Sequence, residues 1–165
     1  MVDTMQKTLV LLKPDAIQRG VCGEILHRLE RAGLNIVGMK MVWITKEFGE
    51  KHYFDVKERH GEKVLDILTE SLSEGPLIAM VIEGIEAIAT VRKLAGTTYP
   101  FEAAPGTIRG DFAHISKTHA REKDKAVCNL IHASASEKDA EYELKLWFEP
   151  KELHSYTKLD DKYTF

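Results

Sequence analysis

Four short apolar runs, at residues 8–12, 34–44, 77–82 and 127–132, alternate with stretches of helical period. A chain patterned this way must bury strands and helices against one another, which confines it to an α/β or α+β architecture. The first run, Thr8-Leu9-Val10-Leu11-Leu12, closes on Lys13-Pro14-Asp15 and reads as a buried strand. Residues 23–32 place Ile25, Leu26 and Leu29 on one helical face, with Gly33 as the cap. Residues 34–44 read as a long strand. Residues 46–72 carry helical period in two pieces, broken near His60-Gly61. The run at 77–82 follows Gly75-Pro76 and has the character of a central strand. Ile85, Ile88, Val91 and Leu94 recur every three residues and predict a helix that Gly96 closes.

Between residues 97 and 126 no period is sustained, and Pro100, Pro105, Gly106 and Gly110 mark a long loop. A loop of that length in a compact domain is usually functional. Strand character returns at 127–132. Ser136 is the expected N-cap of a last helix, with Asp139 at the acidic position of a capping box. Ala140, Leu144 and Trp147 line that helix and Pro150 stops it. The order β-α-β-αα-β-α-loop-β-α contains two split β-α-β halves. It predicts an α/β sandwich on a ferredoxin-like antiparallel sheet, with a doubly wound parallel sheet as the competing topology. At 165 residues the chain suits a single domain.

Composition narrows the partners. Lys plus Arg is 23 against 26 Asp plus Glu, a net charge of −3. A chain whose main task is to hold duplex nucleic acid needs a basic excess, so nucleic acid is not expected as the primary partner. The stretch from Lys117 to Lys125 mixes cations with Glu122 and Asp124 and has no aromatic for base stacking, so it reads as a solvated loop. The run at 77–82 is far shorter than the roughly 20 residues of a membrane helix. Two cysteines, Cys22 and Cys128, make no disulfide framework, and a reducing cytoplasmic setting is expected.

The chemistry concentrates in a few places. Gly33 to Lys40 only grazes a phosphate-binding glycine loop, without Lys-Ser or Lys-Thr after the second glycine. His132 stands at a strand end, beside Ala133, Ser134 and Ala135, which leave room for a ligand. Glu143 shares the buried stripe of Ala140 and Trp147, where a carboxylate needs a partner. His132 is the candidate partner, the alternative being a Glu143 side chain that snorkels to water; a carboxylate that orients an imidazole makes it a better nucleophile. Arg109 sits on the long loop, Arg92 near a helix end and Lys13 directly after a strand. Three cations and a histidine fit a polyphosphate site.

Several motifs, in order, resemble the nucleoside diphosphate kinase family over nearly the whole chain. They are Thr8 to Ala16, His52-Tyr53, Gly75-Pro76, Pro105-Gly106-Thr107-Ile108-Arg109-Gly110-Asp111-Phe112, Asn129-Leu130-Ile131-His132-Ala133-Ser134, and Leu146-Trp147-Phe148 with Glu152-Leu153 and Tyr156. The resemblance implies a ping-pong phosphotransferase. A nucleoside triphosphate phosphorylates His132 on Nδ1, and the phosphohistidine then phosphorylates a nucleoside diphosphate. It implies nucleotide binding by Lys13, Tyr53, Arg92, Thr98, Arg109 and Asn129, support from Ser134 and Glu143, and Mg²⁺ carried on the phosphates. It also implies the ferredoxin-like sheet with an inserted helical pair. The same resemblance points to a homo-oligomer, a hexamer or, as in some bacterial members, a tetramer. The tail at 150–165, with Tyr156, Tyr163 and Phe165, is expected at subunit contacts.

The chain departs from the family pattern in three places. The segment at 113–127 is longer and carries His114, Lys117, His119, Arg121, Lys123 and Lys125. Ala135 replaces the usual Asp. Arg59-His60-Gly61-Glu62-Lys63-Val64-Leu65 stands where Pro-Phe-Phe is common, which makes Val64 or Leu65 the base-facing residue, with Ala126 and Val127 opposite. A non-catalytic nucleotide-binding module on the same fold is the rival reading; its mark would be loss of His132 or the cations, and all are present.

Overall fold

In the computed structural model, which describes residues 4–164, the first apolar run lies in β1 (Met5–Leu12). Its residues from Thr8 to Leu12 are fully buried, because helices cover both faces of the sheet. Alternate side chains therefore serve different cores. Val10 and Leu12 join a cluster with Ile25 and Leu29 of α2 (Cys22–Arg31) and Val91 of α6 (Ala87–Ala95). Leu9 and Leu11 join Leu72 of α5 (Glu62–Ser73) and Trp147 of α9 (Glu137–Trp147). The strand order is β2-β3-β1-β4, with β2 at Asn35–Val42, β3 at Leu77–Ile85 and β4 at Ile131–Ala133. Every pairing is antiparallel, which gives the ferredoxin-like sheet and excludes the doubly wound one.

The structure moves several expected boundaries. Ile85 belongs to β3, paired with Met5; Glu86, at a φ of +46°, breaks the chain before α6. Residues 46–72 form three helices, α3 (Lys46–His52), α4 (Val56–His60) and α5, since the chain also turns around Tyr53. The segment 97–126 is not a bare loop. It holds a 3₁₀ turn (Pro100–Glu102), α7 (Ile108–Phe112) and α8 (Lys117–Glu122), each too short to establish a period. Of the run at 127–132 only Ile131 and His132 pair in the sheet, joined by Ala133. The backbone before them turns away at Leu130, whose φ is +69°.

β2 is an edge strand with a register shift between Ile36 and Gly38. A Cβ on Gly38 would lie 2.9 Å from Leu153, so glycine lets the C-terminal segment dock there. His154 N–H donates to Val37 O at 2.7 Å, and the Tyr156 hydroxyl bonds both Ile36 N–H and Ile36 O. The tail from Pro150 to Lys158 thus packs on its own chain. A short α10 (Asp161–Thr164) ends the described chain, and Phe165 lies outside the described residues.

Candidate active site

β4 delivers His132 and the turn after it delivers Ser134, while α9 presents Glu143 to both. His132 Nε2 lies 2.9 Å from Glu143 Oε1, and the Ser134 hydroxyl donates to Glu143 Oε2 at 2.6 Å. Glu143 is 7% exposed, and these two contacts are the partners its burial requires. Because a carboxylate only accepts, Nε2 carries the proton and Nδ1 keeps its lone pair. Helix α9 is held in place by the Ser136 cap, which accepts from Asp139 N–H.

The cations come from three other places: Lys13 directly after β1, Arg92 in α6 and Arg109 in α7. Lys13 Nζ donates to Val127 O at 3.1 Å. Burial lowers its ammonium pKa, and Asp15 opposes that shift. Arg109, in α7, spends three donors on the backbone: Nε to Asn129 O at 3.3 Å, Nη1 to Gly96 O at 2.9 Å and Nη2 to Ile131 O at 2.6 Å. Burial, with Arg92 as a cationic neighbour, lowers this guanidinium to about 10, so it stays charged at neutral pH. The Asn129 amide donates to Thr98 O at 2.8 Å. Burial raises the Tyr53 hydroxyl, as do the nearby carboxylates of Glu143 and Asp15, so it remains a protonated donor. All nine expected residues, Lys13, Tyr53, Arg92, Thr98, Arg109, Asn129, His132, Ser134 and Glu143, are thereby linked by contacts or through the field they share.

Two neighbours stand in quoted motifs but were given no role by the sequence. His52 packs edge-on against His132, with ring centroids 4.5 Å apart, and its Nδ1 accepts from Trp147 Nε1 at 3.2 Å. Burial holds its pKa well below the ordinary value, and His132 pushes the same way. Asp15 accepts from Leu130 N–H at 2.9 Å. Their partners, Trp147 and Leu130, lie far along the chain, beyond the reach of local pattern.

His52, His132 and Glu143 are also close enough to offer a metal three ligands. The set does not fit Mg²⁺, which takes oxygen ligands. Nor does it suit a softer ion, since Trp147 occupies His52 Nδ1 and leaves the proton on Nε2. The candidate base-facing residues behave differently from one another: Val64 is exposed and Leu65 half-buried. An ion pair from Lys63 Nζ to Asp124 Oδ1, 2.6 Å long, ties this end of α5 to the segment before Asn129.

A family model for nucleoside diphosphate kinase matches residues 6–153. The nucleoside diphosphate kinase of Pyrococcus horikoshii is 48% identical over 94% of this chain and 93% of its own length. That of Borreliella burgdorferi is 43% identical, covering 95% of both. Among solved structures, a transition-state mimic of the Borrelia burgdorferi enzyme with bound vanadate and ADP superposes with a TM-score of 0.94 at 42% identity, covering 98% of this chain and 97% of that one. A halophilic nucleoside diphosphate kinase from Halobacterium salinarum in complex with CDP gives 0.83 at 36% identity, over 97% and 98% of the two chains.

Proposed function

Since this chain belongs to the nucleoside diphosphate kinase family, we propose that its phosphotransferase activity runs through a phosphohistidine on His132. The observation that carries the reading is the His132–Glu143 contact, which engages Nε2 and leaves Nδ1 as the nucleophile. The Nδ1 lone pair attacks the γ-phosphorus of a nucleoside triphosphate in line. The bond to the bridging oxygen breaks, and the nucleoside diphosphate leaves with that electron pair. A second nucleoside diphosphate then attacks the phosphohistidine through a terminal phosphate oxygen, and the imidazole departs.

Such a transfer asks for positioning and for stabilisation of negative charge rather than for further covalent chemistry. Lys13, Arg92 and Arg109 supply the positive charge. The Tyr53 hydroxyl, kept protonated by its burial, donates to a phosphate oxygen. Asn129 and Thr98, already bonded to one another, line the same path. Mg²⁺ would be carried on the phosphates and screen their charge; the nearby group His52, His132 and Glu143 offers it a single carboxylate. Val64 or Leu65, at the mouth, faces the base.

The subunit works as a homo-oligomer, with a hexamer favoured over a tetramer. Met39 and Met41 of the edge strand β2, Trp43 just after it, and Phe101, Leu159 and Tyr163 elsewhere are exposed and leave apolar surface for a second copy. No helix among the described residues is long and apolar enough to cross a membrane. The free thiols of Cys22 and Cys128 suit the reducing cytoplasm.

The test is to incubate the protein with γ-labelled ATP. The expected label is acid-labile, base-stable, mapped to His132, and discharged by GDP or CDP. Label on another residue, or none discharged by a diphosphate, overturns the reading.

A further inference from the structure

Leu130 is fully buried and has a φ of +69°, a conformation that L residues with side chains seldom adopt. Ile131 N–H donates to Asn129 O at 2.8 Å across it. A bond from residue i+2 back to residue i around a positive central φ has the form of the strained γ-turn. Such strain persists only where the surroundings hold it. Here they do. Arg109 reaches both flanking carbonyls, Asn129 O and Ile131 O. Leu130 O accepts from Lys13 N–H at 2.9 Å. The remaining group, the Leu130 N–H, has Asp15 Oδ2 at 2.9 Å.

The turn therefore runs from Asn129 directly into His132, with Lys13 and Arg109 anchored on it. We propose that Asp15 is a positioning residue for phosphoryl transfer, holding the Leu130 amide so that the 129–131 turn keeps His132, Asn129 and Arg109 in one register. This rests on His132 being the nucleophile. An ionised carboxylate is a strong acceptor for a backbone N–H, and without it that donor is left inside the protein unpaired. Leu130 then relaxes toward negative φ and carries its neighbours with it. The charge of Asp15 also opposes the effect of burial on Lys13 and Arg109.

The test compares full-length wild type, Asp15→Ala and Asp15→Asn. Mapping the phosphoryl label to His132 in the wild type checks the underlying reading by itself; label elsewhere sinks that reading whatever the variants do. Asp15→Ala should lower kcat by about 10²-fold, the scale of a misplacement near 1 Å, and change nucleotide KM by a smaller factor. Asp15→Asn keeps an oxygen acceptor and should restore most of kcat, with the Leu130 amide resonance close to its wild-type position. Wild-type kcat in Asp15→Ala overturns the proposal. So does an Asp15→Asn protein that keeps the Leu130 amide signal yet has lost kcat, a comparison that stands even where Asp15→Ala does not fold.

Discussion

His132 and Glu143 are joined at 2.9 Å while Ser134 occupies the other carboxylate oxygen at 2.6 Å, so one buried acid is shared between an imidazole and a hydroxyl. Its orientation is set by Ser134 as much as by the helix that carries it. Glu143→Ala should lower the phosphorylation rate by about 10–10³-fold, since basicity and orientation are tuned rather than removed. His132→Ala should abolish labelling altogether while ADP still binds, because the phosphate cations remain. Rapid-quench labelling with equilibrium ADP binding separates the two.

Arg109 grips three carbonyls, and a guanidinium has only five N–H donors, so two are left for a phosphate. Arg109→Lys should therefore behave almost as poorly as Arg109→Ala: an ammonium cannot span the carbonyls of Gly96, Asn129 and Ile131 together. For Arg109→Ala and Lys13→Ala, kcat should fall more than KM rises, as charge builds on the leaving oxygen. Steady-state kinetics in which only KM moves would show that these side chains merely bind.

His52 gives stability an acid limb. Folded His52 stays neutral, whereas in the unfolded chain it takes a proton near its ordinary value. The unfolded state then binds more protons below that value, so stability present above it is lost as pH falls and levels off below the folded pKa. His52→Phe should be less stable near neutral pH by about 1–3 kcal/mol, because Trp147 Nε1 loses its acceptor. Its melting temperature should nevertheless fall less steeply than wild type between about pH 6.5 and 5, the window of His protonation. Equal slopes in a calorimetric pH series would show that other groups set the limb.

Val64, exposed on α5, is one of the two residues proposed to face the base. Stacking on an aromatic ring is worth about 1–3 kcal/mol per base, and an aliphatic contact less. Val64→Phe should lower KM for all nucleotides, purines most, with little change in kcat. Unaltered KM values across ATP, GTP and CTP would place the base against another surface, the segment before Asn129 first.

Truncation after Leu153 removes both bonds from Tyr156 to the Ile36 backbone and the Lys158 Nζ bond to Gly33 O. The melting temperature should fall, and smaller species should appear in sedimentation if Leu159 and Tyr163 lie against a neighbour. Tyr156→Phe tests the intrachain part alone and should lower stability without changing the oligomer. A truncated chain with unchanged melting temperature and unchanged sedimentation would mean that the tail holds neither.

The primary sequence determined the elements whose signals are local. Apolar runs of strand length, glycines placed to end helices at Gly33 and Gly96, and the Ser136 cap all act within a few residues, and the structure keeps them. The motif residues were legible too, since Lys13, Arg109 and His132 stand in contiguous patterns. What only the tertiary structure decided depends on groups brought together from far apart. The spacing of Ile85 with Ile88 and Val91 mimics a helix, but pairing with Met5 draws Ile85 into β3. Val127 to Leu130 has strand composition, but the Asp15 carboxylate and the Arg109 fork together favour a turn there. The proton on His52 is assigned by Trp147, 95 residues away in the chain. Local propensity is worth tenths of a kilocalorie per residue, whereas a buried donor or charge left unpaired costs about 1–3 kcal/mol or more, so the long-range partner prevails.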